Sequence, residues 1–174
     1  MPYHVSFKGC EAELTGNCVD NGDVAPKVEL IDADLATVAI AKEGAWLLMS
    51  LPSVDIAACA IQTRNLNVRC AVLENVRVAV ISADLPFALK RFAFAEEIER
   101  LALLSDFREK AFAKSYGVLV EGGALAGLLA LSVFVINGEG RVVHKQIVRD
   151  LGGEPDYDTA LLVATSASRA KDFQ

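Results

Sequence analysis

Runs of basic charge, C-x-x-C pairs and a membrane-length apolar stretch are all missing from these 174 residues. No stretch of Lys or Arg exceeds Lys90-Arg91, and 17 basic against 23 acidic residues leave a net charge of −6, so the positive footprint for nucleic acid or an anionic membrane is lacking. Neither partner is expected. The most apolar window, Ala124 to Ile136, has 13 residues where a bilayer needs roughly 20, and it reads as a buried strand after an apolar turn. The opening Met1-Pro2-Tyr3-His4-Val5 has no basic region followed by an apolar one, so no secretory signal is expected and the cytoplasm is the default location. Four cysteines (Cys10, Cys18, Cys59, Cys70) and two histidines (His4, His144) are too few and too scattered for a disulfide scaffold, a zinc site or a Cys-His-Asn hydrolase. No metal or cofactor is expected, and each histidine is expected to be a satisfied strand residue.

What is present is apolar and patterned. At 53% hydrophobic and 23% charged, the chain can bury a core, and its length suits one domain over residues 1–174. Tyr3 to Phe7, Lys8-Gly9 and Cys10 to Leu14 alternate about a glycine turn and predict an opening β-hairpin. Strands are predicted at Lys27–Ile31, Ala36–Ile40 and Ala45–Leu51, the last fully buried. A helix is predicted from near Ile56, with Ser53 and Asp55 offering cap oxygens and with Cys59, Gln62, Leu66 and Cys70 at helical spacing. Val76–Ala83 is the next strand, and Asp84-Leu85-Pro86 reads as the cap of a second helix carrying Phe87, Phe92 and Ile98 inward. Further strands at Leu101–Leu104 and Val118–Val120, a short helix near Phe107–Tyr116, an Asn137-Gly138 hairpin and a final helix from Pro155 complete an α/β sandwich.

One segment looks built to present a side chain. Leu51-Pro52-Ser53-Val54-Asp55-Ile56-Ala57-Ala58-Cys59 joins a buried strand to a helix, placing Cys59 in the first turn. There the unpaired N–H groups and the positive end of the macrodipole favour an anion, which predicts a lowered thiol pKa and a thiolate. The competing reading is that Cys59 is a small buried core residue. Local physics leaves both open.

The spacing from Pro52 to Cys59 matches the peroxiredoxin motif. Together with Pro52-Ser53-Val54-Asp55, Ile81-Ser82-Ala83-Asp84-Leu85-Pro86-Phe87-Ala88, Arg91-Phe92, Tyr116-Gly117-Val118 and Glu154-Pro155-Asp156-Tyr157, it resembles the bacterial thiol peroxidase family of atypical two-cysteine peroxiredoxins, from about Val5 to Ala164. The resemblance implies a thioredoxin-like fold, a homodimer, hydrogen peroxide or alkyl hydroperoxides as substrate, and thioredoxin or another thiol as reductant. It implies that Cys59 is the peroxidatic cysteine and that Pro52 shields it from water.

Three family positions are substituted. The motif threonine, which hydrogen-bonds the sulfur and the peroxide, is Ile56; the arginine that supports the thiolate is Leu131; the resolving cysteine is Ala93. Eleven residues of helix set Cys70 roughly 16 Å from Cys59, beyond any disulfide span, and Cys70 is expected to be a core-facing helix residue. Cys10 and Cys18 lie in and after the opening hairpin, and the sequence neither indicates nor excludes a link from either to Cys59. Two functions follow. One is a slow peroxidase reduced by an external thiol; the other is a non-catalytic module of the same fold that binds a partner or senses redox state. Retention of Cys59, Pro52 and Asp55 favours the first, and the three substitutions favour the second.

Overall fold

The computed structural model describes residues 3–169. β1 (His4–Phe7) and β2 (Cys10–Thr15) form the expected hairpin, closed by Lys8 and Gly9 at φ of 50° and 80°, the two positive values that a tight hairpin turn requires. β2 also pairs with β8 (Leu119–Glu121), giving a small three-stranded sheet.

The larger sheet has seven strands. At its centre lie β5 (Ala45–Ser50), β6 (Val76–Ser82) and β7 (Ala102–Ser105), mutually parallel. β3 (Val28–Asp32) and β4 (Thr37–Ile40) extend it antiparallel beyond β7, and β9 (Ser132–Ile136) and β10 (Val142–Ile147) extend it antiparallel beyond β5. The order is β10-β9-β5-β6-β7-β3-β4. Every residue of β5 and β9 is buried, which explains their unbroken apolar runs: a strand covered on both faces has no polar side to alternate with.

Among the described residues four α-helices connect and cover this sheet: α1 (Ala57–Arg69), α2 (Pro86–Ala95), α3 (Ala111–Tyr116) and α4 (Tyr157–Arg169). α4 packs on β5, β9 and β10, while α2 lies on β7 and α3 on β3. α1 is tied to α4 and to the chain just before it by Arg69 to Asp158, Asn65 to Glu154 and the Tyr157 hydroxyl to the Gln62 carbonyl. At the core, Phe112 stacks on Tyr116 with ring centroids 4.3 Å apart, and Phe134 meets both rings edge-on.

Where β2 ends against the end of α3, two backbone segments cross closely. A Cβ on Gly117, at φ 71°, would lie 2.4 Å from the Asn17 carbonyl oxygen, and one on Gly16 would lie 2.5 Å from that of Lys114. Glycine is required at both positions. Asn17 N–H donates to the Lys114 carbonyl at 2.8 Å across the same seam.

Three local expectations need correction. Phe87 points outward and is 68% exposed, because the buried stripe of α2 is Pro86, Leu89 and Phe92, which leaves Phe87 and Phe94 seven residues apart on the opposite side. Ile98 is buried but lies beyond the end of α2. His144 is not a satisfied strand histidine: its Nε2 is buried without a partner, and burial lowers its pKa, with Asp156 pulling the other way.

Candidate active site

Leu51 continues β5 by donating its N–H to the Ile81 carbonyl, and Pro52 then leaves the sheet with no donor to offer. The chain turns at once: Ile56 N–H reaches the Ser53 carbonyl at 3.2 Å, and Asp55 N–H reaches the Ser53 hydroxyl at 3.1 Å. α1 begins with Ile56 as its N-cap residue, and no side chain caps it, so Ser53 and Asp55 are not the caps the sequence suggested. Their polar groups face a different neighbour. Ser53 donates its hydroxyl to Asp84 Oδ1 at 2.7 Å and Val54 donates its N–H to Asp84 Oδ2 at 2.9 Å, while Asp55 pairs with Arg91 on α2 at 2.9 Å.

Asp84 is therefore not the cap of α2 either. That N-cap is Leu85, again without a side-chain hydrogen bond, and the Asp84 carboxylate turns back to the β5–α1 loop and to the Ser82 hydroxyl at 2.7 Å. Sequence reasoning missed this role. The signal available was the pair of strings around Ser53 and Asp84, each following a parallel strand, since the ends of adjacent parallel strands bring their following loops side by side.

Cys59 lies in the first turn of α1, as the spacing requires, and is fully buried. Its pKa is pushed up to about 11, contrary to the lowering expected from the helix terminus. Loss of water is the main cause; the backbone N–H of Ser53 opposes it, and the charge of Asp84 adds to it. Desolvation outweighs the dipole because the dipole's help is worth about a kcal/mol or less at ordinary sites, whereas a buried charge costs several. The resting group is a thiol.

Pro52 is buried beside this turn, whereas Ile56 is half-buried. Leu131 is fully buried one residue before Ser132, whose register partner is Ser50, so it stands opposite Leu51 where the chain leaves for Pro52. Next to it, the Ser50 and Ser132 hydroxyls are 2.5 Å apart, and Ser50 donates to the Ala130 carbonyl at 2.7 Å. Ala93 is half-buried on α2. Cys70 is buried just past α1 in a 3-10 turn, Cys10 and Cys18 are exposed, and all four thiols are free. Among the described residues no three His, Cys, Asp or Glu side chains gather as metal ligands.

A cleft of about 730 Å³ opens between the hairpin turn (Phe7, Lys8, Gly9) and the start of α1, from Asp55 to Ala58, with Leu125 and Gly152 closing the sides. Ile56 lines it. Behind the hairpin it adjoins a nearly all-apolar cavity of about 340 Å³ that shares Ser6, Phe7, Lys8 and Leu125. No described helix is long and apolar enough to cross a membrane.

Comparison with known proteins fits this geometry. A family model described as Redoxin matches residues 20–161. The thiol peroxidase of Campylobacter jejuni is 44% identical over 153 residues, 87% of each chain, and that of Helicobacter pylori strain J99 is 42% identical over 161 residues, 91% of this chain and 97% of its own. The crystal structure of a peroxiredoxin-like protein from Aquifex aeolicus superposes with a TM-score of 0.90 at 36% identity, over 94% of this chain and 96% of that one. The fold is the thioredoxin-like sandwich that the sequence resemblance implied. With a Redoxin match over most of its length and relatives above 40% identity, the chain belongs to the Redoxin family, in its thiol peroxidase branch.

Proposed function

We propose that this protein is a slow, single-cysteine thiol peroxidase. The observation that carries the reading is the placement of Cys59 in the first turn of α1, behind the Pro52–Asp55 loop and directly after Asp55 to Ala58, which line an open cleft, in a chain of the thiol peroxidase branch. Hydrogen peroxide or an alkyl hydroperoxide enters the cleft, the resting Cys59 thiol gives up its proton to solvent, and the thiolate so formed attacks one peroxide oxygen. The O–O bond breaks, the sulfur becomes sulfenic acid, and water or an alcohol leaves once the departing oxygen takes a proton. An external thiol, from thioredoxin or a similar dithiol protein, condenses with the sulfenic acid and releases water, and a second thiol reduces the mixed disulfide. Pro52 limits water at the sulfur. The protein acts as a homodimer in the cytoplasm, where four unpaired thiols suit a reducing compartment.

Slowness follows from chemistry at three positions. Ile56 and Leu131 offer no polar atom where a donor and a cation would assist, and loss of one preorganised donor costs about 10² to 10³ in rate. Ala93 removes the internal resolving thiol. A second reading, a non-catalytic redox-sensing module, is favoured by one observation: Cys59 is fully buried and its pKa is pushed up to about 11.

Stopped-flow peroxide consumption by the purified protein, with a thiol reductant present, separates the two. The peroxidase reading expects slow consumption that disappears in Cys59→Ser. Equal background rates in both proteins would leave the module.

A further inference from the structure

Asp84 follows β6 and faces a loop thirty residues earlier in the chain. Its Oδ1 accepts the Ser53 hydroxyl at 2.7 Å, and its Oδ2 accepts both the Val54 N–H at 2.9 Å and the Ser82 hydroxyl at 2.7 Å. All three donors are neutral. The nearest cations along the chain are engaged elsewhere, Lys90 with Asp34 and Arg91 with Asp55, both at 2.9 Å. A half-buried carboxylate thus stands over the loop that leads to Cys59 with no counter-charge among the described ion pairs.

We propose that Asp84 is a positioning residue that fixes the Pro52–Asp55 segment in front of α1 and that its charge restrains the reactivity of Cys59. The first effect is geometric: two hydrogen bonds from consecutive residues, one from backbone, leave the loop little freedom. The second is electrostatic, because a like charge beside a thiol disfavours the thiolate. Asp84 acts on Cys59 in that direction, after burial and against the Ser53 N–H.

The other charged and titratable groups around α1 sit elsewhere along it: Glu154 accepts from Asn65, and Arg100 donates its backbone N–H to Asn67. Asp55 is paired with Arg91, Arg64 with Glu96 and Arg69 with Asp158, while the Tyr157 hydroxyl bonds the Gln62 carbonyl. Across the cleft stand Lys8, on the exposed hairpin turn, and Asp150, which accepts the Gly152 N–H. None of these replaces Asp84 at Ser53 and Val54.

The inference uses Cys59 as the reacting thiol but not its peroxidase activity, so the test reads alkylation. Cys59 labelling by iodoacetamide, resolved from the other three cysteines by peptide mapping, is followed against pH in the full-length protein. Asp84→Asn keeps an oxygen for the Val54 N–H and removes the charge, and it is expected to lower the midpoint by about one unit, about tenfold more thiolate at neutral pH. Ser53→Ala removes two hydrogen bonds of its hydroxyl, the one donated to Asp84 and the one accepted from the Asp55 N–H, leaves the charge, and is expected to keep the wild-type midpoint. Asp84→Ala, a second route to neutrality, should lower the midpoint similarly and also speed labelling at every pH by freeing the loop. A wild-type or raised midpoint in Asp84→Asn, with an unchanged melting temperature, would overturn the electrostatic role. A midpoint shift without peroxide consumption in any variant would sustain Asp84 and sink the peroxidase reading instead.

Discussion

Arg91 on α2 holds Asp55, two residues before the start of α1, with 2.9 Å between Nη2 and Oδ1. Both side chains are more than half exposed, so water screens the pair and it adds little stability. Its significance is positional. With Asp84 on Ser53 and Val54, it makes two tethers from the β6–α2 segment to the loop before Cys59. Arg91→Ala is expected to cost less than about 1 kcal/mol in thermal or urea unfolding, while Asp84→Ala costs about 2 to 3 kcal/mol because it strands the Val54 N–H and two hydroxyls. Equal losses would mean that the tethers are not different in kind.

Alkaline pH is expected to weaken the fold through Cys59. Its folded-state pKa of about 11 lies above the unfolded value of 9.0, so the native state holds the proton more tightly. Above pH 9 the unfolded chain binds fewer protons than the native one, and stability falls until about pH 11. Two units correspond to roughly 2 to 3 kcal/mol at full effect. Tyr157, pushed up to about 12 by burial, extends the loss to higher pH. Urea titrations at pH 8 and pH 10.5 should show a smaller drop for Cys59→Ala than for the wild type.

Peroxide treatment is expected to give no intramolecular disulfide at Cys59. Cys70 lies beyond the far end of a 13-residue helix, and Cys10 and Cys18 are exposed while Cys59 is buried. Oxidation then proceeds to sulfenic and on to sulfinic acid. Non-reducing peptide mapping decides this, and a high-yield link from Cys59 to Cys10 or Cys18 would restore an internal catalytic cycle.

Restoring the missing groups should separate chemistry from packing. Ile56→Thr changes a half-buried position at the cleft and is expected to cost under about 1.5 kcal/mol. Leu131→Arg places a guanidinium where no water reaches and is expected to cost about 3 to 5 kcal/mol unless it finds an anion. Together they should raise the peroxide rate more than either does alone, since both act on one transition state. Adding Ala93→Cys should then allow a disulfide to Cys59. A triple variant that melts normally yet gains no rate would show that the pocket itself has been remodelled.

The aromatic cluster offers a stability check away from the site. Tyr116 donates its hydroxyl to the Pro26 carbonyl at 2.8 Å, and Tyr116→Phe is expected to cost about 1 kcal/mol. Phe112→Ala removes a fully buried ring stacked on Tyr116 and should cost about 3 to 5 kcal/mol by urea unfolding.

The parts legible in sequence were those set by local rules. Lys8-Gly9 fixed the hairpin turn, the unbroken run Ala45 to Ser50 marked the central strand, and the Pro52–Cys59 spacing placed the thiol in a first helical turn. The parts that failed depend on what lies across space. Asp84 before Leu85-Pro86 looks like a helix cap until the neighbouring loop, reached only through the β5–β6 pairing, claims its oxygens. The helix terminus at Cys59 was visible, but the burial whose desolvation reverses its effect is not written in the local sequence. Phe87 and Phe92 are chemically alike, and only the position of β7 under α2 decides which turns inward.

The glycine crossing between Gly16–Asn17 and Lys114–Gly117 has a consequence for biosynthesis. Its halves are separated by about a hundred residues, and β2 gains its second partner only when β8 has been made. An isolated hairpin is marginal in water, and the seat of this one does not exist until α3, β8 and the Arg149–Leu151 stretch that bonds Ser6 have left the ribosome. Until then its apolar inner face, Val5 and Leu14 among it, has nothing to rest on, so the β1–β2 hairpin precedes its seat in sequence and docks late.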